Sequence, residues 1–355
     1  MQELMLLHSL SRPGADTLFN QFQFDIDGDF DLQAFENAWQ IVVDRHPALR
    51  TAFIWRYVQQ PMQIVRKSVA TDIHVEALRD QDPEAQHARI GAYLRDDRRR
   101  GFELDRAPLM RFCLMRLANE HWRFVWSSHH LVVDRWCLGL IFRELDRYYG
   151  HKRTGDKTVR GAALPGFKEY ISWTLRQDKR ATLEYWTGIL DGYEPGGSLF
   201  CPTSDASRAD ATVEQSAELL LEVSAATAVE EFAQQNAVTP AIVVQAAWAL
   251  VLNHVLESQD VVFGATISGR PADIPDVESI VGSFINNVPV RCRLPGAVPV
   301  VKWLGDLQAQ QFARAPHDYL STHELKRELG ADQRCMDFES LIVWLAETGE
   351  PRRIN

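Results

Sequence analysis

The sequence predicts a mixed α/β protein built as two lobes, and three observations carry that expectation. At 355 residues the chain exceeds what one ordinary hydrophobic core serves, which points to two lobes of about 150–200 residues each. Strand-like and helix-like segments alternate through both halves in similar proportion, without an exact internal repeat. Between the halves, over 192–210, Gly, Pro, Ser and Asp accumulate, the composition of a connection. A first lobe is therefore expected over 1–190, a connection over 191–210 and a second lobe over 211–355.

Each element has its own signal. Over 31–44, Leu32, Phe35, Ala38, Trp39, Val42 and Val43 fall on one helical face. Asp31 is a good N-cap there, and Phe30 can staple onto Phe35. Pro47 stops that helix, and 51–55 resumes as a strand. A second helix starts at Asp82-Pro83 and ends near Gly101. The runs 110–117 and 122–127 read as a hairpin turned at Ala118-Asn119-Glu120. Trp136, Leu140, Ile141, Leu145 and Tyr148 give a helix over 136–149, and a further helix is expected over 168–190. The second half opens with a strand over 217–223 and a helix over 225–235. Thr239-Pro240 caps and starts a long apolar helix reaching Leu256, expected to be buried, and 260–264 follows as a strand.

Hydrophobic residues at 46% against 24% charged describe a soluble globular chain. The net charge of −10 argues against a nucleic-acid partner. The cluster Arg98-Arg99-Arg100 is offset by Asp96, Asp97 and Glu103 and reads as a solvated helix end. Five scattered cysteines, odd in number and without a Cys-x-x-Cys pair, support neither a disulfide framework nor a zinc site. They fit a reducing cytoplasm. No signal peptide is recognisable, and no apolar run reaches the ~18 residues that a membrane span needs.

The most informative stretch is His129-His130-Leu131-Val132-Val133-Asp134. It follows an apolar run, 122–127, able to deliver both histidines to the end of a sheet edge. An imidazole titrates near neutrality and can accept or orient a proton at cellular pH. An aspartate four residues on can orient the ring or fix the loop. Two histidines that merely end a strand are the plain alternative, and the six residues alone do not separate these readings.

Several segments in order then resemble the condensation domains of nonribosomal peptide synthetases. Residues 1–10 resemble that family's opening motif, with Leu4 where glycine is common. Asp44-Arg45-His46-Pro47-Ala48-Leu49-Arg50 and the residues to Phe53 match the second. Residues 129–137 align with the active-site motif His-His-x-x-x-Asp-Gly, and 167–173 with the fourth. Val281-Gly282-Ser283-Phe284-Ile285-Asn286-Asn287-Val288-Pro289 and the residues to Arg291 match the fifth, preceded by the typical 263–271. Pro316-His317-Asp318-Tyr319 is a weaker sixth, and 338–343 resembles the strand that follows it.

The resemblance implies a chloramphenicol-acetyltransferase-like fold, two lobes set in a V around a central tunnel. It implies peptide-bond formation: the amine of a carrier-bound aminoacyl thioester attacks a carrier-bound acyl or peptidyl thioester. Phosphopantetheine arms come with the donor and acceptor carrier proteins, so the domain itself binds no cofactor and no metal. An adjacent adenylation domain within a larger synthetase, with this chain a monomeric part of it, is implied as well. His130 becomes the base or amine-positioning residue at the tunnel centre, and His129 a supporting residue. Asp134 holds the loop by pairing with an arginine, Arg270 first and Arg50 second. Arg135, Trp136, Ser268, Asn286 and Asn287 are placed along the tunnel, although Asn286 and Asn287 can equally cap their own loop. Family members usually run on beyond the last matching segment, which implies an excised or shortened member with an incomplete second lobe.

Two positions depart from the motif. Arg135 stands where the family has glycine, whose backbone freedom and close approach other residues hinder. Cys137 replaces a common serine, as a packing residue or as a nucleophile. Arg135 leaves two readings: condensation, with an unusual donor or a side reaction, or a non-catalytic module that docks a partner. Retention of His130 and Asp134 favours activity. An epimerisation domain, a heterocyclisation domain and a freestanding acyltransferase each fit the motifs less well.

Overall fold

The computed structural model of the chain describes residues 2–11, 18–154, 165–199, 217–294, 296–330 and 338–345, apart from the side chains of 151–154. The described parts of Met1–Gln177 and Arg270–Ile285 form one compact unit, and those of Asp178–Gly269 and Asn286–Leu345 a second.

The first unit is organised on a four-stranded sheet. Strands β1 (Phe19–Asp27), β4 (Ile73–Ala77), β5 (Met110–Ala118) and β6 (His121–His129) lie in the order β1-β6-β5-β4. The β1–β6 and β5–β6 pairs are antiparallel and β4–β5 is parallel. The 122–127 run is thus an interior strand, not an edge. The reason is legible in β6 itself: Phe124, Val125 and Trp126 are all buried, so both faces are covered. Phe124 and Trp126 pack with Phe35, Trp39 and Val42 of helix α2 (Leu32–Arg45) and with Ile141 and Leu145 of helix α4 (Arg135–Thr154). Val125 joins Cys113, Met115 and Ile90 on the face covered by helix α3 (Pro83–Arg100).

Local chemistry sets these helices. Asp31 accepts the Ala34 N–H at 3.0 Å, and the Phe30 and Phe35 rings meet at 5.1 Å, an N-cap with its staple. Asp82 caps α3, which ends at Gly101 in a positive-φ conformation of +56°. The end of α3 is only partly solvated. Asp97, expected among its solvated acids, is buried and faces the sheet, taking Arg111 Nε at 2.6 Å and the Ser127 hydroxyl at 2.5 Å. Helix α1 (Gln2–Ser11) inserts Met5 and Leu6 into the same core. Strands β2 (Thr51–Ile54) and β3 (Met62–Val65) form a separate antiparallel pair.

The helix expected over 168–190 is two helices, α5 (Phe167–Thr174) and α6 (Lys179–Leu190). The Asp178 carboxylate starts the second by accepting the Ala181 N–H at 3.0 Å, and α6 belongs to the second unit although it precedes the expected connection. Conversely Arg270–Ile285 lies in the first unit. Val281 enters the core with Leu131 and Cys137, and Phe284 packs on Phe167 of α5. Gly282 permits this approach, because a Cβ there would lie 2.3 Å from the Phe167 ring.

The second unit carries strands β7 (Asp260–Ile267), β8 (Asn286–Arg293) and β9 (Leu341–Val343) in the order β8-β7-β9, with β7–β8 antiparallel and β7–β9 parallel. Phe263 and Val261 pack with helices α8 (Pro240–Leu256) and α9 (Val300–Arg314). On the other face Val262 and Val288 meet Trp186 of α6 and Leu325 of helix α10 (Thr322–Leu329). Helix α8, expected to be buried, buries one face only. Ile242, Ala246, Ala249 and Leu252 are inside, while Leu250, Val251 and Val255 are exposed. The strand expected over 217–223 is not formed. Among the described residues it pairs with no other strand, its three leucines are exposed, and helix α7 (Val223–Gln235) starts at its end. Of the expected connection, 200–210 lies outside the described residues, as do Met1, Cys201 and Cys335.

Candidate active site

Strand β6 delivers His129 and His130 to a loop whose backbone is pinned on both sides. The His129 N–H donates to the Leu109 carbonyl at 2.9 Å, and the His130 N–H to the Leu18 carbonyl at 2.8 Å. Leu131, Val132 and Val133 are buried and pull the loop onto the core. Burial of this kind fixes a loop more firmly than surface hydrogen bonds do.

The two imidazoles have opposite environments. His129 is buried, accepts the Leu131 N–H on Nδ1 at 3.1 Å and has the Ser9 hydroxyl 3.3 Å from Nε2. Burial, assisted by the neighbouring His130, pushes its pKa down to about 4, so it is neutral at cellular pH. His130 is half-buried, and its Nδ1 is buried with no hydrogen-bond partner among the described residues.

Asp134 is a hub. Its Oδ1 accepts the Cys137 N–H at 3.2 Å, as an N-cap of α4 does, and lies 3.0 Å from the Cys137 sulfur. Its Oδ2 accepts the Phe284 N–H at 3.0 Å. Arg270 Nη2 lies 3.4 Å from Oδ1, with both side chains almost fully buried. Arg270 Nη1 donates to the Val277 and Ile280 carbonyls at 2.8 and 2.9 Å, and the guanidinium lies over the Phe284 ring at 4.0 Å. Both carboxylate oxygens and both Nη atoms are thus met by partners, which favours tolerance of a buried ion pair, while the buried Arg270 Nε has none among the described residues. Arg50, the second expected partner of Asp134, binds the backbone carbonyls of Val43, Asp44, Arg66 and Lys67 instead.

Of the other expected residues, Arg135 is exposed at the first position of α4, with no positive φ. Trp136 is half-exposed, yet its indole N–H is taken by the Glu278 carbonyl at 2.9 Å. Ser268, Asn286 and Asn287 lie in the second unit. Ser268 is exposed. Asn286 is buried, and its amide nitrogen donates to the Asp318 and Leu320 carbonyls at 2.7 Å each while its oxygen accepts the Asn287 N–H. The Asn287 oxygen accepts the Thr266 hydroxyl at 2.7 Å. Both asparagines thus secure their own unit.

Cys137 is fully buried, and its thiol is pushed well above the ordinary range, first by burial and then by Asp134. Such a sulfur does not serve as a nucleophile. Elsewhere His74, Glu76 and Cys113 bring possible metal-ligand atoms within 4.8 Å of one another. Glu76 is already paired with Arg89 at 2.5 Å, and burial pushes the Cys113 thiol up to about 12, so this group makes no case for an ion. Sequence reasoning missed the contacts of Ser9, Gln2, Glu278 and Gly282 with the loop. They lie about 120–145 residues from their partners, and only their inclusion in motif segments could have pointed to Ser9, Gln2 and Gly282.

Mixed sheets, each flanked by helices on both faces, give the chain the chloramphenicol-acetyltransferase-like fold of condensation domains. The chain belongs to the condensation-domain family of nonribosomal peptide synthetases, whose family model matches residues 1–343. It is 36% identical over 345 residues to a linear gramicidin synthase polypeptide of Brevibacillus parabrevis, covering 97% of this chain and 4% of that protein. It is 33% identical to surfactin synthase subunit 3 of Bacillus subtilis (strain 168), covering 94% and 26%. The chain therefore spans only a small part of these relatives. Among solved structures, the first condensation domain of the calcium-dependent antibiotic synthetase aligns with a TM-score of 0.73 at 20% identity, over 96% of this chain and 78% of that one. The cyclization-docking bidomain EpoB from Sorangium cellulosum aligns at 0.77 and 22% identity, over 96% and 68%. Among the described residues no single helix is long and apolar enough to cross a membrane.

Proposed function

We propose that this chain catalyses amide-bond formation between an acyl or peptidyl thioester on a donor carrier protein and the amine of an aminoacyl thioester on an acceptor carrier protein. Both substrates ride on phosphopantetheine arms, and an adenylation domain in the same synthetase loads the acceptor in the cytoplasm. His130 is the catalytic group. Its imidazole accepts or orients the proton that the α-ammonium loses. The freed amine attacks the thioester carbon, the carbon–sulfur bond breaks, and the proton ends on the departing thiol. A thioester is already activated, so holding the amine in place supplies much of the acceleration. Asp134 and Arg270 are positioning residues that fix the loop.

The observation that carries this reading is the contrast within the loop. Its backbone and its carboxylate are over-determined by protein contacts, while His130 Nδ1 has no partner among the described residues. A module that only docked a partner would gain nothing from holding an unsatisfied imidazole in this way. The test is to load two carrier proteins with candidate donor and acceptor, add the domain and look for condensed product by mass spectrometry. His130→Ala should lower the rate by about 10²–10⁴-fold. Equal product from the variant, or none from wild type with any plausible pair together with tight binding of a partner enzyme, would support the docking reading instead.

A further inference from the structure

Helix α1 touches the histidine loop at two points, and the direction of each hydrogen bond can be worked out. Gln2 Nε2 donates to the Leu131 carbonyl at 2.8 Å, and Gln2 is itself oriented by Gln63 of β3, whose amide donates to Gln2 Oε1 at 2.6 Å. At the other end of the helix Ser9 Oγ lies 3.3 Å from His129 Nε2. The Leu131 N–H points at His129 Nδ1 at 3.1 Å, so Nδ1 presents a lone pair and the ring proton is on Nε2. The opposite tautomer would set two donors face to face in a buried site, which is costly. The Ser9 hydroxyl proton is committed to the Met5 carbonyl at 2.9 Å, leaving an oxygen lone pair for Nε2–H. One continuous chain results: Nε2–H to Ser9, and Ser9 O–H to the Met5 carbonyl.

We propose that α1 is a positioning element for condensation, in which Ser9 accepts the Nε2–H of His129 and holds its ring while Gln2 fixes the Leu131 peptide, so that His130 is held from both neighbours. Met5 and Leu6, buried between these two polar contacts, anchor the helix in the core. The kinetic consequence rests on the assignment of His130 as the catalytic group; the tautomer does not. Neutrality of His129 agrees with the same arrangement, because a second ring proton would displace the Leu131 N–H.

The experiment has two arms. In histidine-labelled wild type at about pH 7, long-range nitrogen–proton NMR should show His129 in the Nε2–H form; an Nδ1–H ring overturns the proposal without any variant being made. In the condensation assay, Ser9→Ala should lower kcat about tenfold with KM changed by less than about twofold, and Ser9→Thr, which keeps the hydroxyl, should restore most of it. An undiminished kcat in Ser9→Ala, or failure of Ser9→Thr to differ from it, overturns the positioning role. Should wild type give no product, the assignment of His130 fails, and the NMR arm still decides the tautomer of His129 on which the Ser9 contact depends.

Discussion

The backbone N–H of Gly282 points at the sulfur of Cys137 at 3.3 Å, across 145 residues of sequence. That sulfur also lies 3.0 Å from Asp134 Oδ1 and 3.2 Å from the Gly282 carbonyl oxygen. A thiol has one proton, and of the two acceptors the carboxylate is the stronger. Cys137 thus ties the start of α4 to 270–285 and carries Asp134 with it. Serine supplies the same donor and acceptor in less volume. Cys137→Ser should therefore keep the fold and the condensation rate, whereas Cys137→Val should cost about 1–3 kcal/mol by leaving the Gly282 N–H unpaired. Urea unfolding of both variants checks this. Rapid alkylation of Cys137 in the folded wild type would contradict the burial on which it rests.

Arg270 and Asp134 should behave as a unit. Removing either partner strands the other charge in a buried site, so Arg270→Met and Asp134→Ala are each expected to destabilise by about 3–5 kcal/mol. Because both break the same network, the double variant should lose much less than the sum. A double-mutant cycle in urea measures the coupling, and additive losses would mean that the pair does not interact.

Arg135 tests the departure from the motif glycine. Its backbone lacks the positive φ that glycine uniquely favours, and its side chain is exposed. Arg135→Gly should therefore change stability by less than about 1 kcal/mol, at a helix end where propensity counts little. Turnover is expected to stay the same or rise. A fall of about tenfold at unchanged stability would show that the cation acts on the transition state.

The depressed pKa of His129 has a stability consequence with a definite sign. Between about pH 6.5, where an unfolded histidine titrates, and about pH 4, the unfolded chain binds a proton that the folded chain does not. The contribution is fully present above that window and is lost as pH falls through it, to the extent of about 3 kcal/mol at most. A His129→Asn variant cannot titrate there. The wild-type advantage over it in urea unfolding should therefore shrink from pH 7 to pH 4.5; a constant difference would place the proton on the folded histidine as well.

What the sequence disclosed and what it withheld divide along contact range. The caps at Asp31, Asp82 and Thr239, and the hairpin of β5 and β6, rest on neighbours a few residues apart, and they form where their residue types require. The break at Asp178 had a local signal too, an N-cap type inside an amphipathic run, masked by continuous apolar spacing. The motif segments brought Asp134 and Arg270 together as expected partners only through the family resemblance, because no spacing rule links residues 136 apart. Asn286 was ambiguous for the same reason. Its amide is spent on carbonyls more than 30 residues away, which composition and periodicity do not encode. The one-sided burial of α8 likewise depends on which elements pack against it.

The return of Arg270–Ile285 into the first unit bears on how this chain can be cut or recombined. A fragment ending at Gln177 retains both histidines, Asp134 and Cys137 but loses Arg270 and the Phe284 N–H that meet Asp134, and the Gly282 backbone that meets Cys137. Its buried carboxylate would face an empty surface with no counter-charge. Exchanging the first unit between synthetases as a contiguous stretch would pair one parent's histidine loop with the other parent's clamp. Chimeras that carry 270–285 from the same parent as the loop keep the two halves of that lock together.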